Sequence, residues 1–387
     1  MIPALAQHPS TRLTAASDLR PEPLATFARE FGAETFRDAE DLCKSPKVDA
    51  VYVSTPHQFH AQHAIMAAEH GKHVIIEKPM AITLEDCDAI IAAADKHRTK
   101  LIVGHTASYN PAVKKMRELV VQGNLGKLGL INVSAYTNFL YRPRRPEELD
   151  SSKGGGIIYN QVPHQMDSVR LVGGGMVKSV RATTGVWDAA RPTEGAYAAF
   201  LTFDPSTGSG QGAAAVLTYS GYDHFDTTEF RTFIDASKAR PAPEVHGQAR
   251  QMIRDLGGPE GEMIRLADWG YGGPGRGGLR EAGGGGWQGE LGNMIVSCER
   301  GDIRLAADGL WLYTDGGKQG IEVNREGGIP GRGDVIDELT NAVFNDRPLV
   351  HHGRWAKATL AVCLAVLDSA REGREVPVEH QVPTVDL

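Results

Sequence analysis

A carboxylate and an amine, two groups that can transfer protons, follow one apolar run of this chain, and a proline comes directly after them. Residues 74–76 (VII) predict a buried strand of a parallel sheet, and Glu77, Lys78 and Pro79 follow it directly. Open α/β sheets bind their ligands beyond the carboxyl ends of such strands. We therefore expect Glu77 and Lys78 to face a ligand crevice. The alternative is a strand-end ion pair followed by a proline that stops the sheet.

Two other predicted strands end in residues suited to binding a dinucleotide. Residues 12–17 (RLTAAS) predict a strand followed by Asp18, and residues 48–54 (VDAVYVS) predict a buried strand followed by Thr55 and Pro56. An acidic residue at such a strand end holds the adenosine ribose hydroxyls in dinucleotide-binding folds. A turn-forming aspartate is an equal alternative for Asp18.

Strand and helix patterns alternate through the first part of the chain, with short loops between them. Pro21 opens a predicted helix that Gly32 closes. This alternation is typical of an α/β fold with a Rossmann-type doubly wound parallel sheet. We assign residues 1–122 to this dinucleotide-binding domain. The further predicted helices are 39–45, 59–69 and 84–97, and a further strand is 101–103.

From residue 128 onward the pattern changes to strands with alternating faces. It predicts, over residues 123–387, a C-terminal α+β domain with a large open, mainly antiparallel sheet. The glycine-rich residues 269–289 suit neither helix nor strand, and we expect a long mobile loop that serves as a lid or a subunit contact. The predicted strands include LGLINVSAYTNFLY, SVRATTGVW, AAFLTF, AAAVLTYS and EFRTFID.

Composition excludes several classes of protein. A chain of 387 residues with 41% hydrophobic residues can bury two cores. The formal net charge of -7, without a long basic run, argues against nucleic acid or anionic lipid as a partner. No apolar stretch is long enough to span a membrane, and the four cysteines form no CxxC pair of a zinc site. We therefore predict a cytoplasmic protein that acts on small molecules and holds no metal.

Two separated motifs resemble those of the Gfo/Idh/MocA oxidoreductase family. The first comprises Thr55-Pro56, His60 and the EKP of residues 77–79, and the second is GGGIIYNQVPHQMD at residues 154–167. The resemblance implies a nicotinamide-dependent oxidoreductase and a homo-oligomer, either a dimer or a tetramer, in which residues 123–387 bind substrate and support oligomerisation. We expect NAD rather than NADP, because Asp18 would repel a 2′-phosphate. The implied cofactor-binding residues are Asp18, Thr55, Pro56, His60, Glu77 and Lys78.

The second motif departs from the family pattern at one position. Its usual aspartate is Asn160 here, which cannot exchange a proton, so proton transfer is expected to rest on Lys78 and His164. A satisfied buried histidine is the alternative for His164. The segment after Gly104 reads HTASYNP and lacks the arginine that many relatives carry, which puts nicotinamide-side contacts at that strand in doubt.

The residues before the first predicted strand lack a phosphate-binding turn. A dinucleotide fold opens with a strand and a GxGxxG turn, yet residues 1–11 (MIPALAQHPST) contain no glycine. These residues look instead like the helix that follows such a turn. We expect a mis-set start or a trimmed chain, and a genuine pseudo-enzyme is the alternative.

An arginine-rich segment gives the best indication of the substrate. Residues 141–150 read YRPRRPEELD, and two prolines hold this backbone extended. Guanidinium forks bind carboxylates bidentately. A solvated basic loop paired with Glu147 and Glu148 is the alternative. Arg144, alternating to the opposite side, is expected to matter less. The expected substrate-binding residues are Arg142, Arg145, Asn160 and His164.

With this segment included, the chain looks most like the phthalate cis-dihydrodiol dehydrogenases of the family. The resemblance implies a dicarboxylate substrate that gives up hydride to NAD⁺, with Lys78 as base, its pKa lowered by charge or burial, and His164 as partner. Glu77 would orient Lys78 and the nicotinamide ribose. Two other hypotheses about the function remain open: a sugar or polyol dehydrogenase of the same family, and a non-catalytic ligand-binding relative.

Overall fold

The computed structural model describes residues 1–104, 107–205, 212–222, 224–227, 248–275, 292–306, 309–323 and 331–385. These residues form two compact units. The first contains residues 1–104, 259–275 and 331–357, and the second contains the remaining described residues. Two later segments thus return to the first unit, an arrangement that a single predicted boundary after residue 122 does not anticipate. Among the described residues, no helix is long and apolar enough to cross a membrane.

The first unit alternates helices and short parallel strands, as the sequence predicts. Helix α2 begins and ends where proline and glycine predicted: its first residue is Pro21, and its C-cap Gly32 adopts φ 61. The elements, in chain order, are α1 Ile2–Gln7, β1 Ala15–Ser17, α2 Pro21–Phe31, β2 Glu34–Phe36, α3 Ala39–Lys44, β3 Ala50–Val53, α4 His60–Glu69, β4 His73–Ile76, α5 Leu84–His97 and β5 Leu101–Val103.

The strands of this unit form two separate parallel sheets among the described residues. One contains β1 and β2, and the other has the order β3-β4-β5. In the strand order 3-2-1-4-5-6 of dinucleotide folds, the strand between two such groups is the first one, and it leads into the glycine turn. The residues of β1 are all half-buried, whereas those of β5 are all buried. The sheet is thus divided where the phosphate-binding strand of such a fold lies.

The second unit is built on one nine-stranded sheet. Its strand order is β13-β12-β11-β10-β6-β9-β8-β7-β14. The elements that follow β5 in chain order are α6 Pro111–Val121, β6 Leu128–Tyr136, α7 Gly156–Asn160, α8 Val162–Gly173, β7 Val177–Gly185, β8 Ala196–Phe203, β9 Ala214–Ser220, α9 Gln248–Asp255, α10 Pro259–Trp269, β10 Asn293–Cys298, β11 Gly301–Leu305, β12 Gly309–Thr314, β13 Gly317–Glu322, α11 Arg332–Phe344, α12 Gly353–Glu372 and β14 Val376–Pro377. Of these, α10, α11 and the start of α12 belong to the first unit.

The large sheet is mixed rather than purely antiparallel. Strands β6 and β9 pair in parallel, whereas all other neighbouring pairs in the sheet are antiparallel. The prediction of a mainly antiparallel sheet is confirmed. After β6 the chain crosses to β7, and β8 and β9 then return antiparallel toward β6, so that β9 lies beside β6 in the parallel sense. The alternation of apolar and polar residues predicts which face of a strand is buried, but it does not predict which strand lies beside it. The predicted strand EFRTFID and most of the predicted glycine-rich loop lie outside the described residues.

Helix α8 lies in the core of the second unit. All twelve of its residues are buried, although five of them are polar or charged. It packs against α6, β6 and β9. A buried helix with so many polar side chains needs a hydrogen-bond partner for each, because an unsatisfied buried polar group costs about 1–3 kcal/mol. Three of them, His164, Gln165 and Ser168, recur among the contacts described below.

Candidate active site

Asp18 follows β1, as predicted, but its carboxylate is already bound by an arginine. Oδ1 accepts hydrogen bonds from the backbone N–H of Arg20 at 2.9 Å and from its Nε at 3.1 Å. Oδ2 accepts from a terminal nitrogen of Arg20 at 2.9 Å. Burial alone would raise the pKa of Asp18, but the bonds to Arg20 outweigh burial and hold it below its usual value. A ribose hydroxyl must therefore compete with Arg20 for this carboxylate.

Strands β3 and β4 end side by side and bring four predicted site residues together. Val53 and Ile76 are paired in register, and the backbone N–H of Glu77 donates to Val53 O at 2.9 Å. The loops that leave these strands are joined by His60, whose ring nitrogens lie 2.8 Å from Thr55 O and 2.8 Å from Pro79 O. The structure thus places Thr55, His60, Glu77 and Lys78 at one edge of the sheet.

Tyr52 holds the carboxylate of Glu77, a contact that the sequence analysis did not predict. The Tyr52 hydroxyl donates a short hydrogen bond to Glu77 Oε1. Burial, and secondly the Glu77 charge, raise the pKa of Tyr52 well above its usual value, so the phenol stays protonated. A hydrogen bond to a charged group contributes about 1.5–3 kcal/mol. The only signal in the sequence was a hydroxyl inside the otherwise apolar part of the strand.

Lys78 itself is half-buried between Glu77 and a buried proline. The peptide bond between Lys78 and Pro79 is cis. Its amine is thus attached to a backbone fixed on one side by the Glu77–Val53 bond and on the other by the His60–Pro79 bond. A proton-transfer group benefits from such fixed geometry, because misplacement of the reacting atoms lowers the rate.

The residue types expected to hold a dinucleotide lie at strand ends of the first unit. Asp18, the expected ribose carboxylate, follows β1, and Thr55, Pro56, Glu77 and Lys78 follow β3 and β4. Among the described residues no glycine precedes Gly32, and the divided sheet has no strand leading into α1. No group of three or more metal-ligating side chains is placed to hold an ion in the described part of the chain.

Asn160 and His164 lie in the second unit on α7 and α8, where both are buried. The Asn160 amide donates to Gly156 O at 2.8 Å, and Ser168 Oγ donates to His164 O at 2.9 Å. Gly156 is required at the start of α7, since its φ is +73 and an added Cβ would lie 2.3 Å from Thr193 Oγ1. The pairing of His164 with Lys78 stays a prediction.

Two buried tyrosines of the large sheet form hydrogen bonds with the glutamines that neighbour Asn160 and His164 in the sequence. Tyr197 and Tyr219 are register partners on β8 and β9. The Tyr219 hydroxyl lies 2.6 Å from Thr137 Oγ1 and donates to Gln161 Oε1 at 3.3 Å. The Tyr197 hydroxyl donates to Gln165 Oε1. Sequence reasoning missed these residues, because a tyrosine in an alternating strand reads as part of the apolar core.

The three arginines of residues 142–145 have different partners. Arg144 is largely buried, stacks on the Phe139 ring at 3.9 Å and bonds Glu148 at 3.2 Å. Arg145 bonds the same carboxylate at 3.2 Å. Arg142 is exposed, and among the described residues its one hydrogen bond runs from Nε to Asn138 Oδ1 at 3.0 Å. The open guanidinium fork in this segment therefore belongs to Arg142.

Comparison with known proteins identifies the class of enzyme. Residues 1–105 match the model for the NAD-binding Rossmann fold of the GFO/IDH/MocA oxidoreductase family, and residues 113–242 match the model for a GFO/IDH/MocA C-terminal domain. The chain belongs to the Gfo/Idh/MocA family, as its two motifs predicted. It is an NAD-binding oxidoreductase of the dehydrogenase type, an enzyme that acts on CH–OH groups.

Individual relatives match the chain over nearly its full length. A 1-carboxy-3-chloro-3,4-dihydroxycyclohexa-1,5-diene dehydrogenase of Comamonas testosteroni is 38% identical over 96% of this chain and 91% of its own. A crystal structure from Bordetella bronchiseptica RB50, described as that of a candidate dehydrogenase, is 41% identical with a TM-score of 0.87, over 97% of this chain and 95% of that one. Levoglucosan dehydrogenase in complex with NADH and levoglucosan shares the fold at 17% identity, with a TM-score of 0.70, over 95% and 90% of the two chains.

Proposed function

We propose that this enzyme oxidises the cis-4,5-dihydrodiol of phthalate to 4,5-dihydroxyphthalate with NAD⁺. The observation that carries the proposal is the open guanidinium fork of Arg142, in a chain similar over 96% of its length to a dehydrogenase of a carboxylated cyclohexadiene diol. A sugar or polyol has no carboxylate for this fork to bind. The non-catalytic alternative is set aside, because the chain belongs to an oxidoreductase family with dehydrogenase relatives.

In the proposed reaction, one carbinol carbon loses hydride while its hydroxyl loses a proton. NAD⁺, when bound, accepts the hydride with its electron pair. Lys78 in its neutral form accepts the hydroxyl proton, and Glu77, held by Tyr52, orients the amine. The C–O single bond becomes a carbonyl. The resulting ketone then tautomerises to the catechol, which returns aromaticity to the ring and makes the oxidation irreversible in practice.

We also propose substrate-binding residues within the second unit. We assign carboxylate recognition to Arg142 and Arg145, and hydroxyl recognition to Asn160 and His164. A dianion loses its hydration on entering a crevice, and charge-assisted bonds from guanidinium replace that hydration. Of the two arginines, Arg142 is the better candidate for binding a substrate carboxylate, because its terminal nitrogens have no partner among the described residues.

A monocarboxylated cyclohexadiene diol is the second candidate substrate. Glu148 binds both Arg144 and Arg145, so among the described residues of this segment the open fork is that of Arg142. The name of the Comamonas testosteroni relative also specifies a single carboxyl group. The two candidate substrates differ in their second carboxylate. Phthalate diol binding would require Arg145 to release Glu148 and bind that second carboxylate, whereas the monocarboxylated diol would not.

A substrate panel tests the proposal. Initial rates of NADH formation are measured with phthalate cis-4,5-dihydrodiol, a benzoate-derived cis-dihydrodiol, myo-inositol and glucose. We expect the highest kcat/KM with the phthalate diol. A higher kcat/KM with the benzoate diol would select the second candidate, and preference for inositol or glucose would overturn both. Repeating the assay with NADP⁺ tests Asp18, which should disfavour a 2′-phosphate.

A further inference from the structure

His60 has an unusual hydrogen-bonding environment for a buried side chain. It is the first residue of α4, and its ring is completely buried. Nδ1 lies 2.8 Å from Pro79 O, and Nε2 lies 2.8 Å from Thr55 O. Both ring nitrogens therefore face hydrogen-bond acceptors. One of these carbonyls belongs to the loop after β3, and the other belongs to the turn that carries Lys78.

The number of protons on the ring decides how many of these carbonyls it can hold. A neutral imidazole has one N–H and donates to one carbonyl, leaving a lone pair directed at the other. An imidazolium donates to both. Burial lowers the pKa of His60, while the two carbonyl bonds raise it to a smaller extent. Near neutral pH the ring is thus predominantly neutral and holds one of the two loops firmly.

The charged and titratable groups around His60 are those of the candidate site. Glu77 favours the protonated ring, and Lys78 disfavours it. The His57 ring lies edge-on at 5.5 Å, and His63 Nδ1 lies 3.1 Å from Thr55 Oγ1. A change in the charge of Lys78 therefore acts directly on the His60 proton. Conversely, protonation of His60 acts on the turn that positions Lys78.

We propose that His60 is a positioning residue for Lys78: it clamps the Thr55 loop to the Lys78–Pro79 turn, with one bond when neutral and two when protonated. This inference rests on the proposed proton transfer by Lys78. It replaces the direct cofactor contact expected for His60, because neither ring nitrogen is available for a ligand while both face carbonyl oxygens. A small displacement of the turn moves the Lys78 amine, and a shift of about 1 Å can cost about a hundredfold in rate.

The first arm of the test needs neither substrate nor cofactor. His60 is titrated by nitrogen NMR in the wild-type chain while the backbone amides of Lys78 and Met80 are followed. We expect the Lys78 and Met80 signals to move with the His60 titration, and both His60 nitrogens to carry protons at its acid end. A His60 titration that leaves the Lys78 and Met80 signals unmoved would overturn the clamp, whatever the substrate of the enzyme proves to be.

The second arm compares His60→Gln with His63→Gln, whose ring contacts the same loop through Thr55 Oγ1 and not the Lys78 turn. We expect His60→Gln to lower kcat about tenfold or more, with little change in KM for NAD⁺ and a displaced acid limb of the kcat–pH profile. His63→Gln should keep the wild-type profile. Equal profiles for both variants would reduce His60 to a purely structural role. If the NMR coupling is found but Lys78→Met is fully active, the clamp stands and the proposed role of Lys78 fails.

Discussion

At the residue scale, the side chains of the candidate site are held by partners that the fold supplies. Lys78 and Glu77 were predicted from their position after a buried strand, and the structure adds the bonds that fix them. Arg142 was predicted together with Arg145, and the structure separates the two by their partners. Pattern reasoning finds residue types at strand ends, whereas it cannot show which charges are already neutralised.

Replacing Lys78 by methionine should lower kcat by several orders of magnitude and leave thermal stability nearly unchanged. The change removes a proton-transfer group without opening a cavity. Steady-state kinetics and thermal denaturation measure the two effects. Lys72→Met is the matched control, because Lys72 binds Ser45 O at 3.0 Å and Val48 O at 2.7 Å and should affect stability instead. A Lys78→Met enzyme with wild-type kcat would refute the assignment.

Replacing Arg142 by lysine keeps the charge but loses the bidentate fork. A charge-assisted bond of about 1.5–3 kcal/mol predicts a roughly tenfold to hundredfold fall in kcat/KM for the phthalate diol. Arg144→Lys should instead destabilise the fold, since Arg144 stacks on Phe139 and binds Glu148. Arg145→Lys reports whether the second carboxylate has its own arginine. If none of the three replacements changes kcat/KM, residues 142–145 form a solvated loop, and the hypothesis of a sugar or polyol dehydrogenase is favoured instead.

At the scale of elements, the sequence predicted what local chemistry determines. Strands β3, β4 and β5 and the Gly32 cap of α2 follow from apolar runs and from a backbone that needs positive φ. The parallel pairing of β6 with β9 and the contact between Tyr219 and Gln161 join residues far apart in sequence. No local pattern contains that information, so these features had to be observed.

At the scale of the whole molecule, buried titratable groups set the pH range of stability. Burial lowers the pKa values of His60, His63 and His73 below 6.5 in the folded chain. Below pH 6.5 the unfolded chain therefore binds more protons than the folded chain, and stability falls as the pH falls. Burial also raises the pKa of Cys87 to about 12 and of Cys298 to about 11, so above pH 9 the unfolded chain loses protons first.

Stability should therefore be greatest near neutral pH and decline on both sides. Urea denaturation across the pH range measures the free energy of unfolding directly. Replacing His73 by glutamine should flatten part of the acid decline, because one of the three lowered histidine pKa values is removed. A free energy of unfolding that rises between pH 6.5 and 5.5 would contradict the effect assigned to these histidines.

The most direct test of the account follows a deuterium atom from the diol to the cofactor. Phthalate cis-4,5-dihydrodiol deuterated at its carbinol carbons is incubated with the enzyme and NAD⁺, and both products are analysed by mass spectrometry. We expect one deuterium in the reduced nicotinamide for each 4,5-dihydroxyphthalate formed. Reduced cofactor without deuterium, or a diol that is recovered unchanged while inositol is oxidised, would contradict it.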